Sequence, residues 1–238
     1  MQSIPIKFKL IHGTFIRRLN RFLALVEVED RNVYAHLPNS GRLTTVLYPG
    51  VRLYLREPET SHLRKSPYSI FAAIHDNNIP IIVDSTFSNY LAGRVIELGL
   101  IDELAGYKIV GENVKPEGSS VRLDFLLGAS SKRFYLEVKS VTHVVNGTAL
   151  FPDAPTLRGR RQLTELLKLL EKGFGAGIIF SVQRPDATRI KPNYDIDPDF
   201  TRSLRLLVEN GLKVFTLKAA FIPSKDVILW PNEPQFTF

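Results

Sequence analysis

Three residues carry the chemistry legible in this chain: Asp124, Glu137 and Lys139. Asp124 lies in Val121-Arg122-Leu123-Asp124-Phe125-Leu126-Leu127, and the other two lie in Phe134-Tyr135-Leu136-Glu137-Val138-Lys139. Both runs alternate apolar with polar residues, and the spacer Gly128 to Arg133 predicts a hairpin between them. Symmetry about residues 130 and 131 sets Asp124 opposite Glu137, Arg122 opposite Lys139 and Leu126 opposite Tyr135. Leu123, Phe125, Leu127, Phe134, Leu136 and Val138 then share the other face. Two acids so placed stand about 5 Å apart and repel. A hard cation reverses that sign, because Mg²⁺ or Mn²⁺ takes oxygen ligands from two carboxylates and completes its shell with water and phosphate oxygens. Lys139 would orient the attacking water or balance charge developing on a phosphorane-like transition state. The plainer reading is a hairpin with a solvated polar face, on which Arg122 and Lys139 merely neutralise the acids.

A second cluster runs Phe151-Pro152-Asp153-Ala154-Pro155-Thr156-Leu157-Arg158-Gly159-Arg160-Arg161-Gln162. Pro155 and Thr156 set a capped helix start, and Leu163, Leu166, Leu167 and Leu170 recur at helical spacing to pack inward. Capping does not account for Arg158, Arg160 and Arg161 at the positive helix end, a place suited to phosphate oxygens. The chain has no cysteine, which excludes a disulfide scaffold, a thiolate metal site and a Cys nucleophile. Its histidines show no paired ligand spacing, and no Gly-rich phosphate loop or nucleophile elbow occurs.

The elements that must position these groups fall into two parts. Of 238 residues 44% are hydrophobic and 23% charged, as in a folded chain of one large or two modest domains. The net charge is +7, and residues 1 to 75 hold eleven Lys or Arg against five Asp or Glu, so they carry +6 of it. That third reads as short strands at Ile11 to Arg17, Phe22 to Glu29, Val33 to His36 and Val51 to Arg56. In the last of them Val51, Leu53 and Leu55 alternate with Arg52, Tyr54 and Arg56. With Arg17, Arg18, Arg21 and the phenylalanines at 15 and 22, this predicts a small OB-like barrel whose surface stacks bases and follows phosphates, although Phe15 and Phe22 taken singly read as core. The barrel is expected to span 1–75 and a second domain 76–238. There, a strand at Ile79 to Val83 precedes a helix capped by Asp84 and ended by Gly99. Strands near 107–114, 121–127, 134–142, 176–183 and 213–221 alternate with helices starting at Thr156 and Asp197, which implies an α/β domain with a mixed sheet. No apolar run reaches the roughly 20 residues of a membrane span, so a cytoplasmic chain without membrane contact is expected.

An acid in one strand followed by Glu-x-Lys in the next resembles the signature of PD-(D/E)xK nucleases, and Asp124, Glu137 and Lys139 match it, with Glu112 upstream as a further acidic ligand. In such a fold the helix after Glu-x-Lys passes the site, which brings Gln162 to it. Along nearly its whole length the chain also resembles the sugar fermentation stimulation protein family. The resemblance rests on Asn20-Arg21-Phe22, His36-Leu37-Pro38-Asn39-Ser40-Gly41-Arg42-Leu43, Arg122-Leu123-Asp124-Phe125, Glu137-Val138-Lys139-Ser140-Val141-Thr142 and Phe151 to Gly159. It implies an OB-like domain joined to a restriction-endonuclease-like domain, and DNA as partner. Gln162 departs from the His that the family favours there. One expectation is a Mg²⁺-dependent nuclease using Asp124, Glu137, Glu112, Lys139 and Gln162, with DNA gripped by Arg17, Arg18, Arg21, Arg42, Arg52, Tyr54, Arg56, Arg122, Arg158, Arg160 and Arg161. The other is a non-catalytic DNA-binding regulator of sugar-utilisation genes on the same scaffold. A protein-interaction module is the third, and the oligomeric state, including a homodimer, stays open.

Overall fold

The computed structural model describes residues 2–57, 66–75, 78–223 and 226–238; Arg64, Lys65 and position 76, around which the change of domain was expected, lie outside them. In chain order the strands are β1 (Gln2–Pro5), β2 (Leu10–Asn20), β3 (Leu23–Val28), β4 (Arg31–His36), β5 (Arg52–Arg56), β6 (Tyr68–His75) and β7 (Ile79–Ile82), followed by helix α1 (Ser85–Glu97). Then come β8 (Lys108–Val114), β9 (Leu123–Ala129), β10 (Lys132–Val141), β11 (Val144–Val145), β12 (Thr148–Phe151) and α2 (Leu157–Glu171). The chain continues through β13 (Gly175–Val182), β14 (Arg189–Pro192), α3 (Pro198–Glu209), β15 (Lys213–Phe221), β16 (Asp226–Pro231) and β17 (Gln235–Phe236).

Strands β2 to β6 close into a five-stranded barrel of OB topology, in the order β4-β3-β2-β5-β6 with a parallel β4–β6 pairing at Ala35↔Tyr68 and His36↔Ser69. Side-chain alternation supplies its core: Val51, Leu53 and Leu55 are buried while Arg52 is exposed. β2 pairs with both β3 and β5 and must coil to do so, which its two register shifts at Phe15/Arg17 and Arg18/Asn20 allow. At Gly13 a Cβ would stand 2.9 Å from the Glu27 carbonyl oxygen, so β2 passes this close only without a side chain. The short run Ile79–Ile82, counted from sequence with the second domain, is hydrogen-bonded to β6 instead, because Ile81 and Val83 complete the barrel core.

The second sheet runs β1-β16-β15-β13-β10-β9-β8. β10, β13 and β15 are parallel neighbours and the other pairs are antiparallel, which makes a mixed sheet. Leu163 and Leu166 of α2 and Phe200 and Leu204 of α3 bury one face against Ile178 and Phe180. The other face packs on Leu91 and Val95 of α1 and on the barrel residues Phe71 and Ile82. Each helix starts where a cap was expected: Asp84 accepts from Thr86 N, Thr156 from Gly159 N and Asp197 from Phe200 N. Two placements differ from the sequence reading. β1 joins β16 at the edge of the second sheet, away from the barrel, because Ile4 buries in that sheet's core. β11, β12, β14 and β17 form a small sheet of their own, and strands of two to four residues are too short to show periodicity. Among the described residues no helix is long and apolar enough to cross a membrane.

The joint between barrel and sheet is aromatic. Tyr54 lies between His12 and Phe221, with ring centroids 4.8 and 5.2 Å away, and so packs inward where an outward, base-stacking ring was expected. Two sequence motifs meet nearby: Leu43 N donates to Asp153 Oδ2 at 2.9 Å, and a Cβ at Gly41 would stand 2.8 Å from both Asp153 carboxylate oxygens. Arg18 holds this loop in place. Its Nε donates to Asn20 O, Nη1 to Gly41 O and Arg42 O, and Nη2 to Arg21 O and Asn39 O, all at 2.5 to 3.1 Å. All of the guanidinium's N–H groups are thereby used on backbone carbonyls, so Arg18 is a strut and not the phosphate contact expected from sequence. Replacing Arg18 with Gln therefore destabilises the fold by about 2–3 kcal/mol, read as a lower urea midpoint with an unchanged m-value.

Candidate functional site

The β9–β10 ladder has the register expected of the hairpin, from Lys132↔Ala129 to Leu136↔Phe125, and stops one step short of Asp124 and Glu137. There the Asp124 side chain replaces the ladder. Its Oδ2 accepts from Val138 N at 2.7 Å, and its Oδ1 accepts from Asn89 Nδ2 on α1 at 2.7 Å. Glu137 is only 3% exposed. Its Oε1 accepts from Lys139 Nζ at 2.6 Å, Lys139 Nζ also donates to Gln162 Oε1 at 2.7 Å, and Gln162 Nε2 donates to Arg122 O at 3.1 Å. Strand β10, helix α2 and the start of β9 are thus linked by one chain of polar contacts. Glu137 Oε2 is buried with no hydrogen-bond partner. Burial pushes the Glu137 carboxyl up to about 7, Lys139 opposes that rise and Asp124 adds to it.

A buried carboxylate oxygen without a partner costs free energy, and a hard cation is the group that would satisfy it. Asp124 and Glu137 present the donor type for such an ion, with Lys139 beside them. Glu112 is exposed on β8 and lines the same groove as Asp124. Among the described residues, however, no three acids or histidines converge as a metal cluster, so the expected third acidic ligand is not assembled. Glu112 pairs with Phe125, the neighbour of Asp124, and lines the groove without joining the Asp124–Glu137 contact chain.

The expected phosphate-binding cations divide. Arg158 lines the groove, and its charge favours the ionised Glu137. Arg161 is exposed one turn into α2. Arg160 is instead held by Asp197 at 3.5 Å and Asp199 at 2.6 Å, which pins α2 to α3. Arg122 is exposed; its Nη1 donates to Asn113 O at 2.7 Å, and its carbonyl accepts from Gln162. On the barrel Arg17, Arg21 and Arg42 are exposed, Arg52 donates to Asn78 Oδ1, and Arg56 lies over the Phe8 ring at 4.4 Å. Phe15 is core as read singly, but Phe22 is 49% exposed at the β2–β3 turn. Sequence reasoning missed Asn89, whose link to Asp124 spans 35 positions and leaves no local trace. It also missed Tyr34, 51% exposed and in one cross-strand row with Leu25 and Arg17.

An OB barrel mounted on an α/β domain with a mixed sheet, with buried acid, lysine and glutamine in one contact chain, defines a two-domain class of protein. Residues 16–83 match the family model described as the SfsA N-terminal OB domain, and residues 86–225 match the Sugar fermentation stimulation protein RE domain. Sugar fermentation stimulation protein homologs from Caldanaerobacter subterraneus and Moorella thermoacetica are 39% and 37% identical over 210 and 229 residues. These alignments cover 88% and 96% of this chain and 90% and 97% of the relatives. The chain belongs to the sugar fermentation stimulation protein family. The solved structure of Pyrococcus furiosus SfsA in complex with Ca²⁺ matches with a TM-score of 0.92 and 27% identity over 100% of both chains.

The raised Glu137 carboxyl makes stability depend on pH in a defined direction. The folded state keeps this proton to about pH 7, whereas the unfolded chain releases it near 4.5. Below the lower value the group costs nothing; as pH rises through that window stability falls, by about 3 kcal/mol at most. Glu137→Gln removes the dependence, so its urea midpoint should gain on the wild type between pH 4.5 and about 7. A constant difference between the two across that range would contradict the assignment.

Proposed function

We infer that this protein binds DNA and hydrolyses phosphodiester bonds at Asp124 and Glu137 with a divalent cation, Mg²⁺ or Mn²⁺. The observation that carries the reading is the unpartnered Glu137 Oε2, buried beside Asp124 and Lys139. The Ca²⁺ complex of the Pyrococcus relative supports a divalent ion in this family. When bound, such an ion polarises the phosphoryl group and lowers the pKa of its water. The chain's own residues do the rest. Asn89 and Val138 N fix the Asp124 carboxylate from two sides, so its orientation does not depend on the ion. Gln162 gives Lys139 Nζ a second acceptor, which keeps the ammonium in place if Glu137 turns toward a cation. Held there, Lys139 balances negative charge that builds on the phosphoryl oxygens. Arg158 lines the groove, and a guanidinium there suits the backbone of the strand being cut.

The barrel supplies the second contact. Arg17 and Tyr34 share a row on its outer surface, with Arg21 and Phe22 at the adjoining turn, a pairing of cation and aromatic that suits phosphates and bases. One observation favours the alternative of a non-catalytic DNA-binding regulator: Lys139 is paired with Glu137 at 2.6 Å, so one of the two Glu137 carboxylate oxygens is met without an ion.

Incubation with Mg²⁺ or Mn²⁺ and single-stranded, duplex or branched DNA separates the two. Cleavage should fall about 100-fold or more in Lys139→Ala, while DNA binding in chelator stays within a few-fold of the wild type. Binding without any Lys139-dependent cleavage would leave the regulator reading standing. Binding in either case should weaken steeply as salt rises.

A further inference from the structure

Asp124 opens onto a groove of about 1000 Å³. One face of α1 lines it: Thr86, Asn89, Tyr90, Gly93, Arg94 and Glu97 recur at steps of three and four residues. From Asn89, bonded to Asp124, to Glu97 this face runs about 12 Å at the helical rise. The rest of the lining comes from the β1 segment with Lys7, from Glu112 and Asn113, from Asp124 and Phe125, and from Arg158. The charges are sorted. Arg94 and Glu97 pair with each other, while Lys7 and Arg158 have no acid within ion-pair distance among the described residues. The two remaining acids, Glu112 and Asp124, come from neighbouring strands β8 and β9. Lys7 and Arg158 against Glu112 and Asp124 leave the lining balanced overall, so phosphates are met locally at the two open cations and not by a net positive field.

Tyr90 is the feature that selects an occupant. It is 41% exposed, and its ring is braced from behind by Phe87 at 5.2 Å. A braced phenol with one open side is a stacking platform, and a nucleobase can use it only when it is unpaired, because in a duplex both faces of each base are already covered. We propose that this groove is a single-strand track. An unpaired stretch of nucleic acid lies in it with one base on Tyr90, its phosphates follow Lys7 and Arg158, and a phosphodiester is thereby delivered to Asp124 and Glu137. Only that last step rests on the nuclease reading; the binding stands apart from it. The barrel surface around Tyr34 is a separate contact on the other domain, so loss of one should leave the other.

The test is binding in chelator, which involves no cleavage. Labelled oligothymidylate and oligouridylate of about twelve nucleotides are titrated against the full chain, beside a duplex of the same length, by fluorescence anisotropy. Tyr90→Ala should weaken both single strands about tenfold or more and leave duplex binding unchanged, and Tyr90→Phe should restore the single strands. Oligodeoxyuridylate, which differs from oligouridylate only in lacking the 2′-hydroxyl, assigns the sugar preference of the track. Tyr90 is exposed, so an unchanged thermal midpoint of the variant should accompany the loss. As a second measurement, a 4-thiothymidine strand should crosslink to peptides carrying Tyr90 or Lys7. Wild-type affinity in Tyr90→Ala, an equal loss on duplex, crosslinks confined to the barrel, or no binding of either single strand would each overturn the proposal. Tyr90-dependent binding without any cleavage by the wild type would sustain the track and overturn only the nuclease reading.

Discussion

A carboxylate held out of water is the constraint around which this molecule is arranged. Glu137 sits on β10 in the middle of the mixed sheet, where solvent cannot satisfy it. One oxygen is met by Lys139, and that ammonium must in turn be positioned, which Gln162 does from a helix whose own start is fixed by Thr156 and by the Arg160 link to α3. Gln162 needs a partner for its amide and finds the Arg122 carbonyl at the start of β9. The second oxygen has no such answer among the protein's own groups. A fold selected for stability alone would have an apolar residue here; keeping an ionisable one in this position is the mark of a site.

Some of this was legible in the sequence, because hairpin register and helix capping are local. The alternation on either side of residues 128 to 133 sets the β9–β10 pairing, and with it the proximity of Asp124, Glu137 and Lys139. Asp84, Thr156 and Asp197 are recognisable as caps from their immediate neighbours. What was hidden depends on packing between distant segments. Nothing near Asn89 announces that its amide reaches Asp124, and nothing near Tyr54 announces that a sheet will cover it. Glu112 lines the groove of Asp124 without joining a metal cluster among the described residues, and β8 carries a register shift between Ile109 and Gly111 that one sequence does not display.

The arginines show why composition overstates a binding surface. A positive excess in the first third of the chain suggested a row of phosphate contacts, yet Arg18 is fully used on carbonyls and Arg56 is stacked on Phe8. Guanidinium groups serve structure as readily as they serve ligands, since the same fork that meets a phosphate meets a loop of carbonyls. Motif density misleads in a related way. The loop around Gly41 and the stretch containing Asp153 are where the two domains are fastened together, with Leu43 N on the Asp153 carboxylate. Long motifs can therefore record a joint as much as a reaction centre.

Because β1 belongs to the sheet of the second domain, the barrel is not a module appended ahead of it but an insert, leaving that sheet's outermost strand and returning at α1. It is moored by two covalent crossings instead of one. A single-linker domain can swivel; one moored twice, and keyed through Phe71 and Phe221 at 5.3 Å, can tilt only by disturbing the sheet that carries Glu137. Whatever loads the barrel thus pulls on the same scaffold that holds the buried acid, and excising the barrel by a cut at one boundary would strip the second domain of its edge strand.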